Sequence, residues 1–448
     1  MMTEPLIDIS ESLWDFTATP IEAISLSSEQ IDQAIQLSSQ IPNPTRQWQT
    51  YLHGLALFGF EQWLEERASE LVINRQECSI FQAAVANLVE AVSNLQVNEF
   101  RICLIATGSF TDNQVILPRV VVDLPEFVPH FYVLVEVQEE QEFAVVSGFL
   151  SYQQLLAQQA EIGLTVNEDW AYQLPLSWFD REVNNLLLYL RCLEPTAIPL
   201  PAIPSNRLTN LANMQRELTS LLPQLQSPQS QLWQVLSWEQ ATAVFTSPEL
   251  LDWFYQMQVS EGRQDNLASR LQTSLRDLLE LLTRRALNVG RWLGSELDDL
   301  AQELSWVFLP NLVPDGMRSP FEEFELISVQ LAEKGVTIPT QARGAYQELS
   351  LTGYRFRLYA ITWPLLSSGV REWTLLLILG AAFNTPLPPT LRLRVSDQTG
   401  ILVEQGLETD NYCFTSVIGS WEEKFLVTVS LAPDLELTLP PFSFQIEG

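Results

Sequence analysis

A change of hydrophobic period within the first third of the chain does most to limit what it can become. "SEQIDQAIQLSSQ" and, after "IPNP", "TRQWQTYLHGLALFGFEQWLEERASEL" carry apolar residues at three- and four-residue steps, the period of an amphipathic helix. Ser27 or Ser28 can cap the first of these. In the second, Trp48, Leu52, Leu55, Phe58 and Trp63 share one broad face, with Glu61, Glu65, Glu66 and Arg67 gathered towards its end. Then the period changes. "AVANLVEAVSNLQV", "EFRICLIATG", "QVILPRVVVDL", "FYVLVEVQ" and "EFAVVSGFL" are short, rich in β-branched residues and separated by turn formers. They predict an antiparallel sheet of about five strands, with the helices on one side.

Beyond the sheet, "DWAYQLPLSWFDREVNNLLLYLRCLEP" is dense in aromatics. Pro175 restricts its predecessor and predicts an extended segment that packs Trp178 and Phe179 onto the domain. Pro195, Pro199, Pro201 and Pro204 suit a stiff connection. From Asn206 to about Leu309 the pattern is helical again, best developed in "NLASRLQTSLRDLLELLTRRALNVGRWL". The arginines flanking that stretch make it the one locally basic region, and it is expected to pack against the acidic N-terminal domain. After "LPNLVPDGMRSP" the helical period stops. "FELISVQLAE" and the runs that follow it predict about seven strands arranged as a β-sandwich, with "SDQTG" as a hairpin turn. The expected fold class is α+β. It comprises an α+β domain over residues 1–200, a helical region over 205–310 and a β-sandwich over 321–448, with a boundary at Pro310–Pro320.

Four carboxylates crowd the tip between two of the N-terminal strands: Glu136, Glu139, Glu140 and Glu142. In "HFYVLVEV" one face carries Phe131, Val133, Val135 and Val137, and the other carries Tyr132, Leu134 and Glu136. That register leaves Glu139, Glu140 and Glu142 on a solvated turn and Glu136 among apolar neighbours. The charge of the whole chain sets the reading of that turn. With 24 basic against 55 acidic residues the net charge is −31, the opposite of what neutralising phosphates or an anionic membrane face requires. Residues 1–166 alone hold five arginines against 22 acids. Glu139, Glu140 and Glu142 are therefore candidate partner-binding residues for a basic protein surface. Lys334 and Lys424 are the only lysines, so the positive charge is nearly all arginine, committed to ion pairs.

Catalytic signatures are sparse. His53 and His130 stand far apart, Cys78, Cys103, Cys192 and Cys413 form no CxxC, and phosphate-loop, dinucleotide and nucleophile-elbow motifs are absent. No metal and no cofactor is expected. An enzyme built from carboxylates alone would start from Asp123 and Glu136, the weak acid pair. The C-terminal aromatics Tyr354, Tyr359, Trp363, Trp373 and Trp421 admit a sugar-binding reading, against the plainer one that they fill a core. The leading expectation is a non-catalytic interaction or regulatory protein, and the alternative is a carboxylate-based hydrolase or sugar-binding protein. An acidic start and no apolar run near 20 residues predict a soluble, cytoplasmic chain.

"WQTYLHGLALFGFEQWL", "HFYVLVEVQEEQEFAVVSGFLSYQQL", "WAYQLPLSWF" and "LLLYLRCLEP" resemble the cyanobacterial family catalogued as domain of unknown function 1822. The resemblance spans most of the chain and brings no catalytic residues. It implies a cyanobacterial cytoplasmic protein. Such genes often sit near sigma-factor genes, which implies by association a transcription regulator as the protein partner.

Overall fold

The N-terminal helices begin where their caps place them. In the computed structural model, which describes residues 22–108, 113–260, 267–309, 328–367, 370–382, 387–407, 412–432 and 435–446, Ser27 caps Ser28–Ser39 in a capping box with Gln30. Asn43 caps Pro44–Ala68 by accepting from the backbone of Thr45 and Arg46, with Pro44 in the first turn. Two glycines let this long helix lie close to its neighbours. A Cβ on Gly54 would stand 2.9 Å from the Ala34 Cβ, and one on Gly59 would stand 2.4 Å from that of Ala144.

The chain divides into two compact units. The first comprises Met1–Pro204 with Ser227–Thr246, the second Ser205–Gln226 with Ser247–Gly448. The expected helical region is thus shared between the two. The expected boundary at Pro310–Pro320 falls outside the described residues.

In the first unit a six-stranded sheet runs in the order Ile24–Ser25, Phe143–Ser151, Phe131–Gln138, Phe100–Thr107, Val92–Val97, Ile73–Asn74. Neighbours are antiparallel except Phe100–Thr107 beside Phe131–Gln138, which is parallel. The exception follows from the connection. "QVILPRVVVDL" does not form a strand of this sheet: Gln114–Pro118 pairs with Ala171–Pro175 as a separate ribbon, and Val120–Asp123 is a helical turn. This detour returns the chain to enter the next strand in the same direction. "AVANLVEAVSNLQV" likewise splits into a helical turn, Ala83–Ala86, and the Val92–Val97 strand.

Phe131–Gln138 is a central strand with both faces covered, and Phe131 through Val135 are all buried. Tyr189 stacks on Phe131 at 6.1 Å, while Tyr132, on the opposite face, donates to the Val121 carbonyl at 2.9 Å. The "LPLSWF" segment buries Phe179 and half-buries Trp178. Residues of the second stretch join this unit directly, since Asn43 Nδ2 donates to the Pro228 carbonyl at 2.6 Å.

In the second unit, a five-stranded sheet (Val307–Phe308, Arg343–Leu351, Tyr354–Ser367, Val370–Ala381, Tyr412–Ser420) and a four-stranded one (Gly400–Gly406, Arg392–Asp397, Leu426–Ala432, Leu435–Thr438) are antiparallel throughout. Trp373, Leu375 and Leu377 from one share a core with Leu393, Val395, Val427 and Val429 from the other. "YQELSLTGYRFRLYAITWP" is two strands, because Thr352 and Gly353 both take positive φ and close a tight hairpin. At "SDQTG" the Asp397 carboxylate accepts from the Thr399 and Gly400 backbones, and this is a hairpin turn as expected. "FELISVQLAE" is not a strand over its described part, since residues 328–333 are helical.

The basic helix, Leu267–Thr283, packs on Arg207–Leu221 and on the four-stranded sheet of its own unit. Asp277, buried, meets Arg394 at 3.2 Å and Ser396 at 2.7 Å, and Glu436 bridges Arg394 and Arg276. Arg276 and Asp277 of this helix thus hold partners from the four-stranded sheet of the same unit. The helix also ends ten residues early: Leu287–Asn288 pairs in parallel with Phe442–Ser443, and Gly290 lies so close to the Gln445 backbone that a Cβ would be 2.5 Å from its carbonyl oxygen.

Candidate functional site

Two features of the first unit gather polar chemistry. One is the acidic turn. Glu139–Gln141 forms a single 3-10 turn, and Glu142 closes it in the left-handed region at φ 54°. Glu140 and Glu142 are exposed and Glu139 half-buried. The long helix presents Tyr51 to this turn: burial, then the charges of Glu139 and Glu142, push its phenol above the usual range. Trp48, one turn earlier, lies 5.5 Å from the Tyr51 ring and is 51% exposed. A half-buried tyrosine thus borders the carboxylates, with an exposed tryptophan against it.

The two acids singled out as a pair hold separate partners. Asp123 takes Arg119 at 2.7 Å and the Tyr172 hydroxyl at 3.0 Å. Burial and the Asp123 charge push that phenol up to about 12, so Tyr172 stays a donor at neutral pH. Glu136 is half-buried and accepts from Gln138 Nε2 at 2.8 Å.

The second feature is a cleft of about 510 Å³ walled by the long helix, the Gln114–Pro118 ribbon and the Trp238–Phe245 helix. Arg46, Gln49 and His53 line it from the long helix. They stand three and four residues apart in sequence, and that spacing keeps them on one helical stripe. Arg46 is buried. Its Nη1 donates to the Asn87 carbonyl and its Nη2 to Gln231 Oε1 at 2.7 Å. The nearest carboxylate, Glu90, is 3.9 Å from Nε and largely exposed. Burial pushes the His53 imidazole down to about 4, leaving it neutral.

Opposite the helix, the Arg119 guanidinium lies 4.2 Å from the centre of the Trp238 ring, a cation–π contact. Trp170 meets Trp238 edge to face at 5.3 Å. Its backbone sits at φ 58°, an uncommon place for a bulky residue. Arg119 N–H donates to the Trp170 carbonyl at 2.7 Å, tying the two walls together.

A family model described as a protein of unknown function, DUF1822, matches residues 24–436. The chain belongs to the DUF1822 family. The match covers nearly the whole sequence, including the acidic turn and every wall of the cleft. No curated protein matches the chain. In this DUF1822 chain no described helix is long and apolar enough to cross a membrane. No motif in the sequence marks the cleft. The Arg46–Gln49–His53 stripe was a possible signal, but Gln231 and Trp238 lie nearly two hundred residues downstream, and nothing in their local pattern points back to it.

Proposed function

We propose that the protein works by binding rather than by catalysis, docking a basic protein surface on the acidic turn and its aromatic neighbours. The observation that carries this reading is half-buried Tyr51 beside Glu139 and Glu142, with exposed Trp48 against its ring. Protein interfaces draw their energy from a few aromatic anchors, with charges at the rim guiding the approach. The excess of 22 acids over five arginines in residues 1–166 extends the same negative field. A regulatory role in a soluble, cytoplasmic setting fits this reading, with a transcription regulator as the partner class that the family association favours. The two C-terminal sheets around one core fit a β-sandwich.

The hydrolase alternative draws no support from the acid pair. Asp123 is held by Arg119 and Tyr172, and Glu136 by Gln138.

The test begins with a partner purified on the intact protein from native cells and identified by mass spectrometry. Its association is then timed against wild type, the triple variant Glu139→Gln, Glu140→Gln, Glu142→Gln, and Trp48→Ser. The triple variant should associate more slowly, with the difference shrinking as salt shortens the reach of the field to roughly 8 Å or less. Trp48→Ser should instead hasten dissociation. Association and dissociation rates unchanged in both variants would sink the reading.

A further inference from the structure

We propose that the cleft of the N-terminal unit binds a small organic anion: a planar ring bearing one carboxylate, with the carboxylate on Arg46 and the ring against the tryptophan wall. This site is separate from the docking surface and does not rest on it. Arg46 is 6% exposed, yet its close partners are neutral, the Asn87 carbonyl and Gln231 Oε1. Its Nε has no hydrogen-bond acceptor among the described residues. Glu90 stands beyond hydrogen-bond reach at 3.9 Å and is largely in solvent. A buried guanidinium short of acceptors is costly, and a carboxylate matches its planar fork.

The surroundings select one negative charge rather than two. The other cation of the cleft, Arg119, is already paired with Asp123 at 2.7 Å. Glu90 and Asp169, both on the cleft wall, oppose the second charge of a phosphate dianion. His53 beside Arg46 is neutral, because burial pushes it down to about 4.

The rest of the cleft suits a ring. Trp233, 37% exposed, offers open aromatic surface beside Trp170 and Trp238, and such faces take planar apolar bodies. Gln49 Oε1, one helical turn from Arg46, also lacks a hydrogen-bond partner. It would accept from a ring N–H or hydroxyl near the carboxylate. The volume, about 510 Å³, lies within the range of roughly 300–1,000 Å³ common for small-molecule sites.

The experiment is calorimetric titration of the full chain with indole-3-carboxylate, with its neutral amide and with inorganic phosphate. Indole-3-carboxylate should bind at least about tenfold more tightly than the amide, the margin of a charge-assisted pair in a buried site. Phosphate should not displace it. Arg46→Gln should remove the preference for acid over amide. Since Arg46 also holds Asn87 and Gln231, Trp233→Ser provides a second variant at a more open position: it should weaken both ligands alike with an unchanged thermal melt. Equal binding of acid and amide to wild type would show an apolar cleft and overturn the assignment. Displacement by phosphate, or no binding of the carboxylate at millimolar concentration, would overturn it too.

Discussion

Both histidines are held neutral by what surrounds them. Burial pushes His53 down to about 4, and burial with the nearby Arg101 charge does the same to His130. The Arg101 backbone N–H donates to His130 Nδ1 at 2.8 Å, which requires that nitrogen unprotonated. Each folded-state value lies below the unfolded value of about 6.5. As pH falls, the unfolded chain therefore takes up protons first; the contribution is complete above pH 6.5 and is lost on the way down to about 4. Asparagine at 130 can still accept from Arg101. His130→Asn should thus flatten the acid limb of stability, by up to about 1.4 kcal/mol per pH unit for the one proton removed. Urea denaturation at pH 7, 6 and 5 reads this directly, and parallel limbs in wild type and variant would show that His130 is not held neutral. At this scale the sequence was legible where a single residue decides the outcome. Glu140 and Glu142 are exposed as the turn composition implied, though Glu139 is half-buried; Tyr359, Trp363 and Trp373 are core, as the plainer reading had it, whereas Trp421 is half-buried and Tyr354 is 46% exposed. Arg46 was not legible, because its environment is built from Asn87 and Gln231, which only the fold brings near.

Among the elements, the helix–sheet contact depends on one missing methyl group, at Gly59. With a Cβ at 59 only 2.4 Å from the Ala144 Cβ, Gly59→Ala forces the long helix off the sheet, since neither atom belongs to a flexible side chain. The expected loss is about 1–3 kcal/mol, measured as a lower urea midpoint with an unchanged slope. A midpoint equal to wild type would mean the helix shifts freely. In the second unit the weak point is electrostatic. Burial pushes the Asp277 carboxyl above its usual range, against the pull of Arg394 and Ser396. Asp277→Ala leaves Arg394 buried with Glu436 as its remaining carboxylate, and should cost about 3–5 kcal/mol. Thermal melts of that unit's signal check it; a loss below 1 kcal/mol, the usual worth of exposed pairs, would place the pair in solvent. Long amphipathic helices and alternating strands were readable from period alone. "VVVD" was not, because Val120–Asp123 turns helical against β-branched propensity: the turn follows Arg119, whose N–H is tied to Trp170, and its Val121 carbonyl takes the Tyr132 hydroxyl. Propensity is a weak prior beside such contacts.

For the whole molecule the main consequence is that the units interleave. The chain leaves the first unit after Pro204, returns for Ser227–Thr246 and leaves again. The proline-rich composition at Pro195–Pro204 carries no sign of a return. The returning stretch is structural: Pro228 accepts from Asn43, Gln231 accepts from Arg46, and Trp238 lies under Arg119 and against Trp170. Cutting the chain at Pro204 therefore removes an acceptor from a buried guanidinium and one wall of the cleft, while leaving every strand of the six-stranded sheet in place. Cutting after Thr246 keeps both, with Ser205–Gln226 carried along unpacked. A fragment ending at Thr246 should unfold at distinctly higher urea than one ending at Pro204. An acceptor lost from a buried charge is worth roughly 1–3 kcal/mol or more before the aromatic contacts are counted. Equal midpoints would show that the second stretch only decorates the first unit. A Pro204 fragment of wild-type stability that still bound indole-3-carboxylate would further show that the anion site needs neither Gln231 nor the tryptophans at 233 and 238.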